Sequence, residues 1–172
     1  MTSAIDTFAR DRLPAPQDLP EFVFELPELQ LPPRLNCAAE LLDAWVARGE
    51  GARRCVIGAD GTVWTYADLQ AQANRIARVL VEDLGLIPGN RVLLRGANSP
   101  MLAACFFGVF KAGGIAVGTM PLLRAKELTT IVDKARITHA LCDARLAEEL
   151  ELARPNCPTL TTVRLFNGGE AS

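Results

Sequence analysis

The sequence lacks most of the residues from which common catalytic and metal sites are built. It contains one histidine, His139, and none of its five cysteines forms a Cys-x-x-Cys pair. No spacing joins His139 to a serine or cysteine as base and nucleophile, and no zinc-ligand or dithiol pattern is present. The longest apolar run, Pro100 to Phe110, is shorter than the roughly 20 residues that cross a bilayer. These absences argue against a His-dependent hydrolase, a zinc module, a redox dithiol and a membrane protein.

The charge balance argues against a general affinity for nucleic acid. Eighteen Lys and Arg face twenty Asp and Glu, so the net charge of the 172 residues is −2. A protein without a basic excess has no broad field that attracts phosphate backbones. The hydrophobic fraction of 49% is that of an ordinary globular protein. Unpaired cysteines and an N-terminus without an apolar leader core predict a cytoplasmic protein.

The first 35 residues differ in composition from the rest of the chain. They hold six of the eleven prolines, and six acidic residues against three basic ones. Proline at this density prevents a long helix or a central strand. Phe22 and Phe24, however, are too apolar for a solvated tail. We therefore expect residues 1–35 to form an extended acidic arm that lies on the body of the protein, and residues 36–172 to form the folded part.

The pattern beyond the arm alternates between strands and helices. Residues from 37 to about 48 favour a helix, 55–57 and 62–64 a β-hairpin, and 66–84 an amphipathic helix. Further strands are expected at 91–95, 115–119, 139–142 and 160–166, and helices at 100–112, 124–136 and 144–153. This alternation predicts an α/β fold, a mostly parallel sheet flanked by helices with one β-hairpin. The helix at 100–112 is apolar all round, so we expect it to be buried on nearly every side.

No nucleotide-binding fingerprint is present. A phosphate-binding glycine loop follows a strand and opens a helix, whereas Gly113 and Gly114 end a helix and precede a strand. A Rossmann dehydrogenase is therefore a remote alternative. Weak candidates for a ligand contact are Arg95, Asn98 and Ser99, because they join the carboxyl end of a strand to a helix N-terminus. Ser99 can equally serve as the helix cap.

Two motifs resemble those of the AMP-forming adenylating enzymes, the superfamily of acyl- and aryl-CoA synthetases, luciferases and peptide-synthetase adenylation domains. The segment Trp64–Leu69 resembles the first core motif of that superfamily, and Phe110–Val117 followed by Met120–Pro121 resembles the second. The resemblance implies that 36–172 is the N-terminal part of the adenylate-forming domain, a partial domain without phosphate loop or C-terminal lid. In the superfamily these two motifs are chiefly structural, which implies packing roles for Thr65, Tyr66, Asp68, Leu69, Lys111, Ala112, Gly113, Gly114 and Pro121.

A narrower resemblance covers almost the whole chain. Four segments are similar to the 2-aminobenzoate–CoA and benzoate–CoA ligases, namely Asp6–Asp11, Phe24–Leu29, Arg34–Asp43 and Met120–Arg124. That resemblance implies a parent enzyme that uses ATP, Mg2+ and coenzyme A. The carboxylate of a small aromatic acid attacks the α-phosphate to give an aryl-adenylate, and the coenzyme A thiolate then displaces AMP.

The chain departs from the family where the chemistry is expected. It has only three lysines, and none matches the family's lid lysine or the lysine of its phosphate loop. No catalytic residue and no metal ligand can therefore be assigned, no cofactor is expected to bind tightly, and the 172 residues alone are expected to be inactive. Exposed core surface is expected to allow self-association. The alternatives are a stand-alone binding or assembly module, and an aryl-acid adenylating enzyme that loads a carrier protein.

Overall fold

The computed structural model describes residues 4–169, which form two sheets and helices on both sides of the larger one. The strands are β1 (Arg54–Ile57), β2 (Val63–Thr65), β3 (Arg91–Arg95), β4 (Ile115–Thr119), β5 (His139–Asp143) and β6 (Thr162–Phe166). The helices are α1 (Tyr66–Arg78), α2 (Pro100–Lys111), α3 (Ala125–Ala135) and α4 (Ala147–Ala153). The chain is also helical from 37 to 50, with wide π-type turns at Ala39–Asp43 and Val46–Glu50.

The predicted hairpin and the predicted parallel sheet are both confirmed. Strands β1 and β2 pair antiparallel, and Asp60 in their turn accepts hydrogen bonds from the backbone and hydroxyl of Thr62. The larger sheet is entirely parallel, in the order β4-β3-β5-β6. All residues of β3 and β5 are buried, because these two strands are central and are covered on both faces.

Helices cover both faces of the parallel sheet. Leu93 of β3 packs with Leu128 and Val132 of α3, whereas its neighbour Leu94 packs with Val109 of α2 on the opposite face. Successive strand residues point to opposite faces, so one apolar strand contributes to two cores. A third cluster joins α1, α2 and the helical segment 37–50, through Leu42, Leu69, Ala73 and Ala104. The chain is therefore a doubly wound α/β layer with an additional helical layer on one side.

Local capping explains where the two longest helices begin. The Thr65 hydroxyl accepts from the backbone N–H of Asp68, and the Asp68 carboxylate accepts from the backbone N–H of Thr65, which completes a capping box. Ser99 caps α2 by accepting from the N–H of Leu102, and Pro100 occupies the first helical position. These starts are those that the sequence predicted.

The sequence predicts that the apolar helix at 100–112 is buried on nearly every side, and this prediction is wrong. Only four residues of α2 are buried, and its remaining positions, Phe106 and Phe107 among them, are half-buried. The buried face meets α1 closely, because a side chain on Gly108 would begin 2.6 Å from Ile76 Cγ2. The half-buried positions lie at the margins of two clusters, since Phe106 packs against the cluster on the sheet and Phe107 against the third cluster, and both rings stay partly open to water.

The arm lies on the body only at its start. The backbone N–H groups of Ile5 and Asp6 both donate to the carbonyl of Pro88, at 2.9 Å each, and Asp6 pairs with the buried Arg91. From 13 to 35 every residue except Ala15 is exposed. The expectation that Phe22 and Phe24 cover their own domain is therefore wrong; their rings stack on each other, with centroids 6.2 Å apart. Proline and the local 3-10 turns interrupt this segment, so it forms no long helix or strand. None of the described helices is long and apolar enough to cross a membrane.

Candidate functional site at the carboxyl edge of the sheet

The carboxyl edge of the parallel sheet is where this fold gathers its connecting loops. Strand order reverses at the β3–β5 pair, since the chain moves outward from β3 to β4 on one side and from β5 to β6 on the other. In doubly wound sheets, ligands bind in the crevice that this reversal opens beyond the strand ends. Four segments meet there: 96–99 after β3, 120–124 after β4, 144–146 after β5, and Asn167 after β6.

Asn98 lies where three clefts of this edge meet. The hairpin cleft, about 480 Å³, runs between Trp64 of the hairpin and Asn167. The helix cleft, about 510 Å³, lies between Ile57 and α2. The loop cleft, about 280 Å³, lies between Met120 of the β4–α3 loop and α2. Asn98 lines all three clefts and is exposed, so of the three sequence candidates it is the one positioned to meet a ligand.

Ser99 and the start of α2 offer little to an anion. Its hydroxyl accepts the Leu102 N–H at 3.2 Å, and Pro100 has no N–H to donate. The helix N-terminus therefore presents fewer free donors than the phosphate-binding helices of nucleotide-binding folds. The position of Ser99 at the mouth of the hairpin cleft agrees with its role as a cap.

Asp143 is the most perturbed carboxylate of this edge. Its side chain is 1% exposed and accepts from Arg145 at Nη2 (2.6 Å), Nε (2.8 Å) and backbone N (3.0 Å), and from Asn167 Nδ2 (3.0 Å). The hydrogen bonds from the Arg145 side chain are the main cause that lowers the pKa of Asp143 from 3.8 to about 2. Asp143 is therefore an anion at neutral pH with its acceptors occupied, and it joins the ends of β5 and β6.

Arg95, the third sequence candidate, is fully buried at the end of β3. Its residue exposure is 1%, and its guanidinium donates to the carbonyls of Leu146 (3.1 Å), Met120 (3.1 Å), Pro121 (3.0 Å) and Leu123 (2.9 Å). These four bonds use most of the five N–H groups of an arginine. The structure thus directs Arg95 toward the backbone of two neighbouring loops.

Most of the motif residues lie in the packing between helices, whereas Trp64 and Pro121 line clefts. Tyr66 stacks on Trp45 with ring centroids 5.7 Å apart, and Leu69 is buried in the third core cluster. Lys111 forms an ion pair with Asp43 of the helical segment 37–50 and donates to Asn74 of α1 at 2.7 Å. Lys111 therefore ties α2 to two other helices.

The glycine pair of the second motif shapes the turn from α2 to β4. Gly113 has a φ of +75°, which favours glycine, and its carbonyl accepts the N–H of Gly89 at 2.8 Å. A side chain on Gly114 would begin 3.0 Å from Val109, so the turn packs closely against α2. Ala112 is buried just before them, and Pro121 lines the loop cleft.

The single histidine and the buried cysteines are built into the core. The ring nitrogens of His139 lie 2.7 Å from the Thr138 hydroxyl and 3.0 Å from the Leu84 carbonyl oxygen. Burial raises the pKa of the Cys105 thiol to about 12 and that of Cys142 to about 11. Neither cysteine supplies a thiolate nucleophile near neutral pH.

Potential metal ligands are not clustered in the part of the chain that the structure describes. Among residues 4–169 no three His, Cys, Asp or Glu side chains are grouped so that they could hold a metal ion. The carboxylate at the edge, Asp143, is fully engaged by Arg145 and Asn167. Sequence reasoning missed Asn167 and the Lys111–Asp43 pair, since no local pattern connects residues 24 and 68 positions apart.

Comparison with known proteins identifies a family. A family model described as AMP-binding enzyme matches residues 42–171. The acyl-coenzyme A synthetase ACSM5 of Mus musculus mitochondria is 26% identical over 167 residues, which are 90% of this chain and 29% of the relative. The 3-hydroxybenzoate–CoA/4-hydroxybenzoate–CoA ligase of Thauera aromatica is 28% identical over 131 residues, 72% of this chain and 25% of the relative. The chain thus spans less than a third of the length of these relatives.

A third relative matches a shorter stretch at higher identity. The salicyl-AMP ligase/salicyl-S-ArCP synthetase of Mycobacterium tuberculosis is 42% identical over 64 residues, 37% of this chain and 11% of the relative. Among solved structures, the anthranilate CoA ligase AuaEII in complex with anthranoyl-AMP superposes with a TM-score of 0.73 at 26% identity. That superposition covers 80% of this chain and 26% of the solved chain.

Proposed function

The chain belongs to the AMP-binding enzyme family, and we propose that it is the N-terminal portion of an AMP-forming aryl acid–CoA ligase. The observation that carries this proposal is the superposition on an anthranilate CoA ligase over 80% of the chain. The similarity to a hydroxybenzoate–CoA ligase supports an aromatic acid as the substrate class. Within that class we propose 2-aminobenzoate or benzoate as the acid, with ATP, Mg2+ and coenzyme A as the other reactants of the complete enzyme.

The mass of the gene product in its own cells tests this proposal directly. A mass several-fold above 18.6 kDa is expected, because this chain spans about a quarter of the solved ligase. The longer protein should then form CoA thioesters from 2-aminobenzoate or benzoate in preference to aliphatic acids. A native mass near 18.6 kDa would overturn the proposal.

The 172 residues alone are proposed to be inactive. Two features support this: the described residues group no metal ligands, and the start of α2 is capped by its own serine. We expect no aryl-acid-dependent exchange of pyrophosphate into ATP above the rate measured without the acid. Exchange that requires both the acid and the folded chain would contradict this prediction.

A second candidate function is an aryl-acid adenylating enzyme that loads a carrier protein. It is favoured by the 42% identity to the salicyl-AMP ligase/salicyl-S-ArCP synthetase, although that match covers only 64 residues. The two candidates differ in the thiol that accepts the acyl group. Incubation of the longer protein with coenzyme A, and separately with a phosphopantetheinylated carrier protein, distinguishes them by which thioester is formed.

We also propose that the isolated chain self-associates and that the complete enzyme is cytoplasmic. The half-buried face of α2, with Phe106 and Phe107, and the exposed Ile57 and Met120 supply apolar surface that favours association. Sizing with light scattering between low and high micromolar concentration should show a rising mass, and a monomer throughout would contradict it. The five cysteines, all free, support a reducing compartment.

A further inference from the structure

Two arginines lie at the two ends of β3, and each binds backbone at a different edge of the sheet. Arg91 and Arg95 lie four residues apart on one strand, so their side chains share the face that packs on α3 and α4. Both are nearly fully buried, at 5% and 1% exposure. They differ in how their charge is compensated: Arg91 pairs with the carboxylate of Asp6, whereas Arg95 has no carboxylate within ion-pair distance among residues 4–169.

Backbone carbonyls take the place of a counter-ion at Arg95. A buried cation is costly unless its donors are satisfied. Four carbonyl oxygens at 2.9–3.1 Å surround its guanidinium, three of them from the loop that follows β4 and one from the turn that follows β5. This arrangement exists only while both segments keep their present backbone path. The planar guanidinium fork therefore selects one conformation of the two loops.

The β4–α3 loop is short of other anchors. Met120, Pro121 and Leu122 are exposed, at 64% for Met120 and 82% for Leu122. Within the loop, Leu123 N–H donates to the Met120 carbonyl at 3.2 Å, and the far end is held by Arg124, which pairs with Glu149 at 2.6 Å. Yet Met120 and Pro121 form one wall of the loop cleft, opposite Asn98. The exposed first half of the loop, Met120 to Leu122, is thus held at the sheet by hydrogen bonds from one buried side chain, that of Arg95.

We propose that Arg95 is the positioning residue of the carboxyl-edge site. It fixes the β4–α3 loop and the β5–α4 turn against the end of β3, and so sets the width of the loop cleft beside Asn98. Arg95 acts through the backbone of Met120, Pro121 and Leu123. This assignment is independent of the proposed ligase function, because it concerns the shape of the site in the isolated chain.

Methyl NMR on the 172-residue chain tests the assignment. The chain has three methionines, of which Met120 lies on the loop and Met101 on α2, so selective 13C-methyl labelling reports both places. Arg95→Lys retains the charge but cannot span four carbonyls, and we expect the Met120 methyl signal to shift and sharpen as the loop becomes mobile while that of Met101 is unchanged. The matched control is Arg91→Lys, which alters the other end of β3 and should leave Met120 unaffected.

Two further measurements separate positioning from a general loss of stability. Addition of methylguanidinium to Arg95→Ala should restore the Met120 signal, because the free cation refills the vacated space. In the unaltered chain, the Nε–H of Arg95 should exchange with solvent at least tenfold more slowly than that of an exposed arginine such as Arg136. The proposal would be overturned by any of three results. The Met120 signal could be unchanged in Arg95→Lys, it could change equally in Arg91→Lys, or the Arg95 Nε–H could exchange rapidly.

Discussion

Replacement of Asp143 by asparagine should weaken the fold by an amount that depends on pH. In the folded chain the pKa of Asp143 is lowered from 3.8 to about 2 by its bonds to Arg145. At 1.36 kcal/mol for each pKa unit, that lowering corresponds to about 2 kcal/mol of stability when the carboxyl is ionised. The Asp143 side chain is only 1% exposed, but that of Arg145 is 67% exposed, so solvent at Arg145 weakens the charge interaction. About 2 kcal/mol is therefore the upper end for the charge alone.

The hydrogen bonds of Asp143 add a second contribution to the loss of unfolding free energy in Asp143→Asn. Both carboxylate oxygens accept hydrogen bonds from Arg145, and one of them also accepts from Asn167. Whichever way the new amide is turned, its NH2 group faces a donor and cannot accept. Leaving a buried donor without an acceptor costs about 1–3 kcal/mol. Asp143→Asn should therefore lower the free energy of unfolding by at least about 2 kcal/mol at pH 7.

Urea unfolding of both chains from pH 7 to pH 2 is the assay. Because the folded pKa lies below the unfolded one, the stabilisation is complete well above pH 4 and is lost as the pH falls toward 2. The difference between the two chains should therefore shrink across that window. The exposed Asp83, changed to asparagine, controls for the loss of one negative charge. The reasoning is refuted by a difference within the ~0.5 kcal/mol of ordinary surface substitutions at pH 7, or by one that is unchanged at pH 2.

Two smaller changes test the arm and the first helix. Gly89→Ala should release the start of the arm, because the added Cβ would lie 2.1 Å from the Asp6 carbonyl oxygen. Trypsin should then cleave the arm faster than it does in the control Gly61→Ala, where φ is similarly positive but nothing lies near the added Cβ. Equal cleavage rates would count against the contact. Thr65→Ala should lower the unfolding free energy by about 1 kcal/mol in urea, since it removes the cap of α1. Thr65→Ser should lose far less, and an equal loss would show that the hydroxyl is not the cause.

The elements could be predicted because their signals are local. The capping box of Thr65 and Asp68, and the Ser99–Pro100 start, each lie within a few residues of the helix they open. Apolar runs of four or five residues between turns likewise predict buried strands without knowledge of the partners. The α/β class with one hairpin follows from their order along the chain. The order of strands in the sheet is not encoded locally, and it emerged only from the structure.

The sequence predicts candidate ligand contacts at this edge but not what each side chain does there. Arg95, Asn98 and Ser99 were singled out because a strand end meets a helix start, and the three clefts do meet at Asn98. The part played by Arg95 depends on carbonyls 25 to 51 positions away, which no spacing rule anticipates. The exposed path of the arm could not be predicted for a related reason. Apolar side chains favour burial, but the sequence does not show which surface would bury them.

The buried charged groups of the carboxyl edge hold the loops in place. Arg95 is satisfied by carbonyls, Asp143 by Arg145 and Asn167, and the helix start by Ser99. A catalytic group needs a free lone pair, proton or charge directed at the substrate, and these side chains have theirs directed at the protein. What the edge offers is the exposed amide of Asn98 where three clefts meet, with Asp60 and Thr62 beside it in the hairpin cleft. The proposed ligase function therefore requires reacting groups on other segments of the complete enzyme.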